Sequence, residues 1–160
     1  MTEEKDHEAE LLTVHSRTDV EQVFRYSAGR YLSRFLVELR DHARIVGVKC
    51  PKCGTVYVPP KQICDPCYVE MTEPVEVSKE GTIRNFTILR AAFVDPETGE
   101  TRPVPYAFGN VQLDGAGSLL QNYIVADDES KIRVGARVRL EFRQERTGSI
   151  RDIKCFRLLE

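Results

Sequence analysis

Two C-x-x-C pairs, Cys50-Pro51-Lys52-Cys53-Gly54 and Cys64-Asp65-Pro66-Cys67, constrain this chain more than any other feature of its 160 residues. Two cysteines three apart can offer both thiolates to one ion when the turn between them aims its N–H groups at the sulfurs. Zinc takes four such ligands in a tetrahedron at about 2.3 Å. Gly54 suits the first turn because glycine adopts positive φ without strain, and Pro51 and Pro66 stiffen the two knuckles. A small hairpin over about 55–63 would bring the pairs together. The spacing therefore predicts a structural Zn2+ on Cys50, Cys53, Cys64 and Cys67. Two disulfides are the alternative, a poor one without a secretory signal. With all four positions filled by protein, the ion has no open site for chemistry and acts as a staple.

Charge is uneven. The net charge of −2 combines an acidic start, two basic against seven acidic side chains over 1–24, with a basic stretch, eight against two over 25–61. A local basic segment in a mildly acidic chain points to a small anionic ligand or an acidic partner surface, although a solvated helix face would look the same. It argues against a general nucleic-acid binder, which is usually basic throughout. No run approaches the roughly 18 apolar residues of a membrane span. Residues 1–10 are acidic, with no apolar core, and are not a signal peptide, so the expected location is the cytoplasm.

The period of the pattern changes along the chain. Residues 1–17 are polar and aperiodic, and are expected to be a flexible acidic tail. Over 18–43, Phe24, Ala28, Leu32, Phe35 and Leu39 recur at helical spacing, with Gly29 as an interruption. This predicts two helices, about 19–27 and 30–42, or one kinked helix. Its apolar side looks too large for a small zinc unit to cover, so a partner protein is expected to share it. Residues 44–73 form the ribbon, with β-like stretches before and after the first knuckle. From 74 to 160 the period is two, with strands expected at 75–79, 82–90, 106–113, 118–126, 137–144 and 150–158. Glycine-containing turns separate them. Five or six short strands at this length predict a five-stranded Greek-key barrel, the OB-fold. The fold class is thus α+β, mainly β. The long connection 92–105 is a candidate binding loop.

Little in the chain reads as catalytic. Cys155 lies in an alternating strand with no histidine nearby in sequence, which reads as a small buried hydrophobe. His7, His15 and His42 are isolated, and no nucleophile–base–orienter set emerges. Gly115-Ala116-Gly117 is followed by Ser-Leu-Leu, so it fails the dinucleotide fingerprint and reads as a hairpin turn.

The order of parts, with Tyr26-Ser-Ala-Gly29, Ser33-Arg-Phe-Leu36, Cys50-Pro-Lys-Cys-Gly54, Pro59-Pro60, Cys64-Asp-Pro-Cys67, Pro105-Tyr106 and Val134-Gly135, resembles the acyl-CoA-associated zinc-ribbon/OB-fold family. The first knuckle is also similar to rubredoxin, which makes iron the runner-up metal; the second knuckle departs from that pattern because it lacks the glycine. The family resemblance covers about 20 to the end and implies a small, non-catalytic subunit of a thiolase complex. In general likeness it is similar to the subunit of the thiolase that cleaves benzoylsuccinyl-CoA in anaerobic toluene degradation. It implies a thiolase-like large subunit as partner, in a hetero-oligomer expected to be a heterotetramer, with the reactive cysteine and histidines on that partner. CoA or acyl-CoA would be the ligand of the complex. Arg25, Arg30 and Arg34 could pair with its phosphates, and Tyr26, Tyr31 or Phe35 could pack on the partner or the acyl group. A hydratase or aldolase complex is an alternative. A single-stranded nucleic-acid binder is another, since OB-folds stack bases on aromatics, with the acidic balance and the lack of tryptophan against it.

Overall fold

The computed structural model describes residues 13–17, 23–94 and 99–159. Two strands open the described chain, β1 (Thr13–Arg17) and β2 (Val23–Ser27), paired as an antiparallel hairpin. This corrects the helix expected over 19–27 for its described part, 23–27, and, for 13–17, the flexible tail; residues 18–22 lie outside the described residues. Val23, Phe24 and Tyr26 are residue types that favour strands, and β2 pairs along β1 from Thr13↔Ser27 to Arg17↔Val23. Residues 1–12 of the expected tail lie outside the described residues, as do 95–98 of the candidate binding loop.

Helix α1 (Gly29–Val37) starts where that hairpin ends. Gly29 has φ 74, a left-handed value that separates strand from helix, and its N–H donates to the Ser27 hydroxyl at 3.1 Å. The helix widens into a π-turn over Glu38–His42 and stops at Ala43, φ 49. Arg44 then folds back to Glu38, donating to its carboxylate at 2.7 Å.

A three-stranded antiparallel sheet follows, ordered β4-β3-β5: β3 (Ile45–Lys49) is central, flanked by β4 (Val56–Tyr57) and β5 (Glu73–Val77). Residues 75–79 were expected as the first barrel strand. Instead β5 pairs along β3 from Ile45↔Val77 to Lys49↔Glu73, so the expected boundary at 73/74 falls inside a ribbon strand. A strand beginning Glu73-Pro74 suits a sheet edge, where proline's missing N–H costs no ladder bond.

The remaining strands, β6 (Glu80–Leu89), β7 (Tyr106–Leu113), β8 (Leu120–Val125), β9 (Arg137–Phe142) and β10 (Ile153–Leu158), close a barrel in the order β10-β8-β7-β6-β9. Parallel pairing of β10 with β8, Phe156↔Ile124, seals it. This is the expected five-stranded OB-fold. Along β7 the alternation is strict: Ala107, Gly109, Val111 and Leu113 are buried, and Tyr106, Phe108, Asn110 and Gln112 face outward. The turn at 114–117 has Gly115 at φ 90, as a hairpin turn requires.

One core joins all three parts. Phe35, Leu36 and Leu39 pack with Ile45, Val56, Val58 and Val77 of the ribbon sheet and with Ile83, Val111, Val138 and Phe156 of the barrel. Burying each such side chain contributes about 1.5–3 kcal/mol. This corrects the expectation that the helix needs a partner to cover its apolar side, since Phe35, Leu36 and Leu39 are at most 3% exposed within the chain itself. The ribbon also bonds to the barrel. Gly117 N–H donates to the Val56 carbonyl at 2.8 Å, Val58 N–H donates to Ser118 Oγ at 2.7 Å, and that hydroxyl donates to the Val58 carbonyl at 2.8 Å.

Candidate metal centre and helix cleft

The two knuckles are built alike. Cys50 N–H donates to the Thr55 carbonyl and Gly54 N–H to the Cys50 carbonyl; Cys64 N–H donates to the Val69 carbonyl and Tyr68 N–H to the Cys64 carbonyl, all at 2.9–3.0 Å. Gly54, at φ 75, and Tyr68, at φ 54, occupy equivalent left-handed positions. Lys52 and Cys53 N–H groups both donate to Cys50 Sγ at 3.4 Å, the geometry expected around a thiolate. A bridge between Ile63 and Glu70, and Met71 N–H donating to the Gln62 carbonyl at 2.8 Å, close the second knuckle's base.

These turns bring together the four sulfurs of Cys50, Cys53, Cys64 and Cys67, all within 4.8 Å of one another. Cys53 and Cys64 Sγ are 3.7 Å apart. Ligands about 2.3 Å from a central zinc in a tetrahedron are about 3.8 Å apart, so the donor set fits. The same distance is far from the roughly 2.05 Å of a disulfide, and all four cysteines are free thiols. Cys50 and Cys64 are fully buried, with Val48 and Met71 packed around them, while Cys53 is exposed.

The thiols divide electrostatically. The Thr55 hydroxyl, 3.3 Å from Cys53 Sγ, and the Thr55 N–H hold the Cys53 thiol down at about 6. Burial and the three neighbouring cysteines push Cys67 up to about 12, and burial raises Cys64. Clustered thiols resist ionising together unless a divalent cation neutralises them, and binding then releases their protons. The arrangement can hold an ion and lock two turns. It leaves no protein-free coordination position for substrate.

Four of the residues expected to contact CoA or a partner, Arg30, Tyr31, Arg34 and Phe35, line a cleft of about 260 Å3 between α1 and the ribbon, with Gly47, Pro60 and Glu70 opposite. Tyr31 donates to Glu70 Oε1 at 2.8 Å, tying the helix to the second knuckle, and burial with the Glu70 carboxylate raises its pKa. Arg30 and Arg34 are exposed and make no ion pair among the described residues. Phe35 stands at the base of the same cleft, 1% exposed and packed into the core. Tyr26 is 54% exposed on β2, and Arg25 lies in the same strand.

Cys155 is buried 3.5 Å from the Glu141 carboxylate, and burial first, then that charge, pushes its thiol up to about 11. His42 is exposed at the end of the π-turn, and His7 lies outside the described residues. No helix among the described residues is long and apolar enough to cross a membrane.

Two features escaped the sequence. Tyr68 was unremarkable there, because nothing local announces a left-handed tyrosine. Thr55 was read only as part of a hairpin, and its hydroxyl's approach to Cys53 depends on the folded turn.

A four-cysteine ribbon, a short helix and a closed five-stranded barrel define a zinc-ribbon/OB-fold protein. Comparison with known families makes this more specific. Residues 38–70 match the rubredoxin-like zinc ribbon domain of ChsH2, and residues 74–143 match the C-terminal OB-fold domain of ChsH2. The chain therefore carries ChsH2-type zinc-ribbon and OB-fold domains, in that order. It is 26% identical over 107 residues to a DUF35 domain-containing scaffold protein of Methanocaldococcus jannaschii, covering 66% of this chain and 72% of that one. It is 29% identical over 104 residues to another of the same description from Methanothermobacter thermautotrophicus, covering 64% and 74%. Among solved structures it resembles an Ltp2-ChsH2(DUF35) aldolase, with TM-score 0.60, 21% identity and coverage of 84% of this chain and 98% of that one. It also resembles a DUF35-family protein of unknown function from Sulfolobus solfataricus, with TM-score 0.55, 24% identity and coverage of 79% and 83%.

Proposed function

We propose that this chain is the non-catalytic, zinc-stapled scaffold subunit of a hetero-oligomeric acyl-CoA enzyme in which a thiolase-like partner carries the chemistry. The observation that carries this is the description of both curated relatives as scaffold proteins. The state of the residues supports it: Cys155 is buried with a raised pKa, and Cys50, Cys53, Cys64 and Cys67 are gathered into a metal-type cluster. A thiolase needs an accessible nucleophile with a base beside it. In the proposed reaction, thiolytic C–C cleavage of a β-keto acyl-CoA such as benzoylsuccinyl-CoA, that nucleophile belongs to the partner. The four cysteines bind one structural zinc, and Arg30, Tyr31 and Arg34 face CoA phosphate or the partner. The complex is proposed to be a heterotetramer located in the cytoplasm.

A second reading has an observation of its own. The like-folded solved structure is described as an aldolase, so the partner reaction is retro-aldol cleavage, which consumes no free CoA. One experiment separates the two. The chain is purified from its native host, the co-purifying subunit is identified by mass spectrometry, and the complex is assayed with acyl-CoA substrates with and without added CoA. CoA-dependent C–C cleavage supports the thiolase reading, and CoA-independent release of an aldehyde or ketone supports the aldolase. A chain that co-purifies with no acyl-CoA enzyme overturns both.

A further inference from the structure

The second knuckle holds one residue against its own preference. Tyr68 takes φ 54, a left-handed value that a residue with a Cβ adopts only at a cost, where the first knuckle uses Gly54 at φ 75. Burial gives nothing in return. Tyr68 is 85% exposed, more than any other large apolar side chain among the described residues. A strained residue that gains no packing inside its own chain points to a contact outside it.

The ring has company. Ile63, 45% exposed, bridges to Glu70 across the base of the knuckle, and residues opposite each other in such a pair share a face. The Glu70 side chain lies in the helix cleft and accepts the Tyr31 hydroxyl. Ile63 therefore stands beside that cleft, on the side the knuckle turns to solvent. The support is firm, because Tyr68 N–H donates to the Cys64 carbonyl at 2.9 Å and Met71 N–H to the Gln62 carbonyl at 2.8 Å. An apolar pair fixed in advance loses little freedom when a partner covers it.

Cations without an ion pair border this surface. Arg30, Arg34 and Lys52 are exposed and carry none among the described residues. The carboxylates of the second knuckle are engaged, Asp65 by Lys61 Nζ at 2.6 Å and Glu70 by Tyr31. A two-fold contact with a second copy of this chain would bring the same cations towards one another, which opposes association. A different protein with an acidic rim meets them favourably.

We propose that the second knuckle anchors this chain to its catalytic partner, with Tyr68 and Ile63 entering an apolar recess of that subunit that carboxylates surround. This rests on the scaffold reading above and adds the face through which the scaffold acts. Tyrosine is among the residues that most often dominate an interface, since its rigid ring covers much area with few torsions to freeze. Contact in the complex offsets a strain that the free chain bears alone, which accounts for a tyrosine where the other knuckle has glycine.

The test takes the full zinc-loaded chain and the catalytic subunit identified by co-purification, and reads their dissociation constant by analytical ultracentrifugation. Tyr68→Gly is expected to keep its zinc and its stability and still bind the subunit about tenfold or more weakly. Ile63→Ala should weaken binding severalfold. Tyr68→Phe, which keeps the ring, should stay within about threefold of wild type. Val134→Ala, at a side chain 62% exposed on the barrel, leaves the affinity unchanged. If Tyr68→Gly loosens the knuckle, Tyr68→Asn decides in its place, because asparagine also tolerates the left-handed turn. Wild-type affinity in the folded Tyr68 variants overturns the proposal and leaves the scaffold reading standing. A wild-type chain that binds no acyl-CoA enzyme overturns both together. Self-association of the isolated chain that Tyr68→Gly abolishes assigns the face to a second copy and overturns the proposal as well.

Discussion

At the scale of single residues, the equivalence of Gly54 and Tyr68 says most about how the metal centre is made. Both take the left-handed turn that follows a C-x-x-C pair, at φ 75 and φ 54, but only the glycine does so without a Cβ penalty. Tyr68 is also 85% exposed, so its ring gains little packing in return. Tyr68→Gly should therefore stabilise the zinc-loaded chain by up to about 1 kcal/mol, after the extra entropy of glycine in the unfolded chain is subtracted. Denaturant unfolding of the two proteins reads this directly, and a loss of stability would show that the tyrosine ring makes a contact worth more than its strain. Cys53→Ser acts on the other knuckle. It removes the thiol that Thr55 holds down at about 6, and metal analysis should find the zinc lost; a variant that keeps one zinc per chain would show that three thiolates and a water suffice. The cysteine spacing announced this centre in advance because ligand positions depend on local turns. Tyr68's backbone could not be foreseen, because the second knuckle's fold overrides the residue's own preference.

Elements bring a different set of forces into play, chiefly charge placed by helix and strand. Arg30 and Arg34 sit on one cleft because α1 presents positions four apart on the same face, and Tyr31 is held beside them by Glu70. Arg30→Glu combined with Arg34→Glu should weaken the complex's apparent affinity for CoA severalfold at low salt and by less at high salt, where screening has already reduced the attraction. If those arginines face the partner, the same variant dissociates the complex in size-exclusion chromatography. An intact complex with unchanged CoA affinity would reduce both to solvated charges. The barrel's closing strand offers a pH test. Arg157 of β10 donates to Glu141 of β9 at 2.6 Å, and that hydrogen bond holds the Glu141 carboxyl below its ordinary value. A depressed carboxylate contributes stability above its unfolded pKa and loses it as pH falls through the folded one. Both groups are partly exposed, so solvent screening keeps the pair's contribution small. The stability gap between wild type and Glu141→Gln should be present at neutral pH, begin to shrink as pH falls past the ordinary glutamate value, and vanish only below the depressed folded value. The period-two signal made these strands legible, and β7 falls where it was expected. The β1–β2 hairpin was hidden because Phe24, Ala28 and Leu32 recur at helical spacing across a boundary that Gly29 enforces.

For the whole molecule, the decisive fact is that the ribbon has no separate core for its barrel-facing side. Val56 and Val58 lie in the same apolar cluster as Phe35 of the helix and Val111 of the barrel, and Ser118 bonds the ribbon backbone from the β7–β8 turn. The sequence suggested separable parts because each has its own period, and contacts between parts leave no period to read. Metal removal should distinguish a staple that only holds the knuckles from one that sets the position of the helix. Zinc binding of this kind supplies roughly 10 kcal/mol or more towards folding a small module. The smaller apolar cluster around Val48, Cys50, Cys64 and Met71 is the part that depends on the ion directly. Stripping the ion should therefore release 50–71 first, and then α1, whose Tyr31 bond to Glu70 goes with the second knuckle. The barrel strands are closed by their own ladders on every side and should stay protected, except at 114–119 where the ribbon docks. Hydrogen exchange of the full chain before and after chelation measures each segment. Retained protection of α1 without metal would mean that the joint apolar core alone fixes the helix. Loss of protection in all segments at once would make ribbon and barrel a single cooperative unit, in which the zinc stabilises the barrel as well.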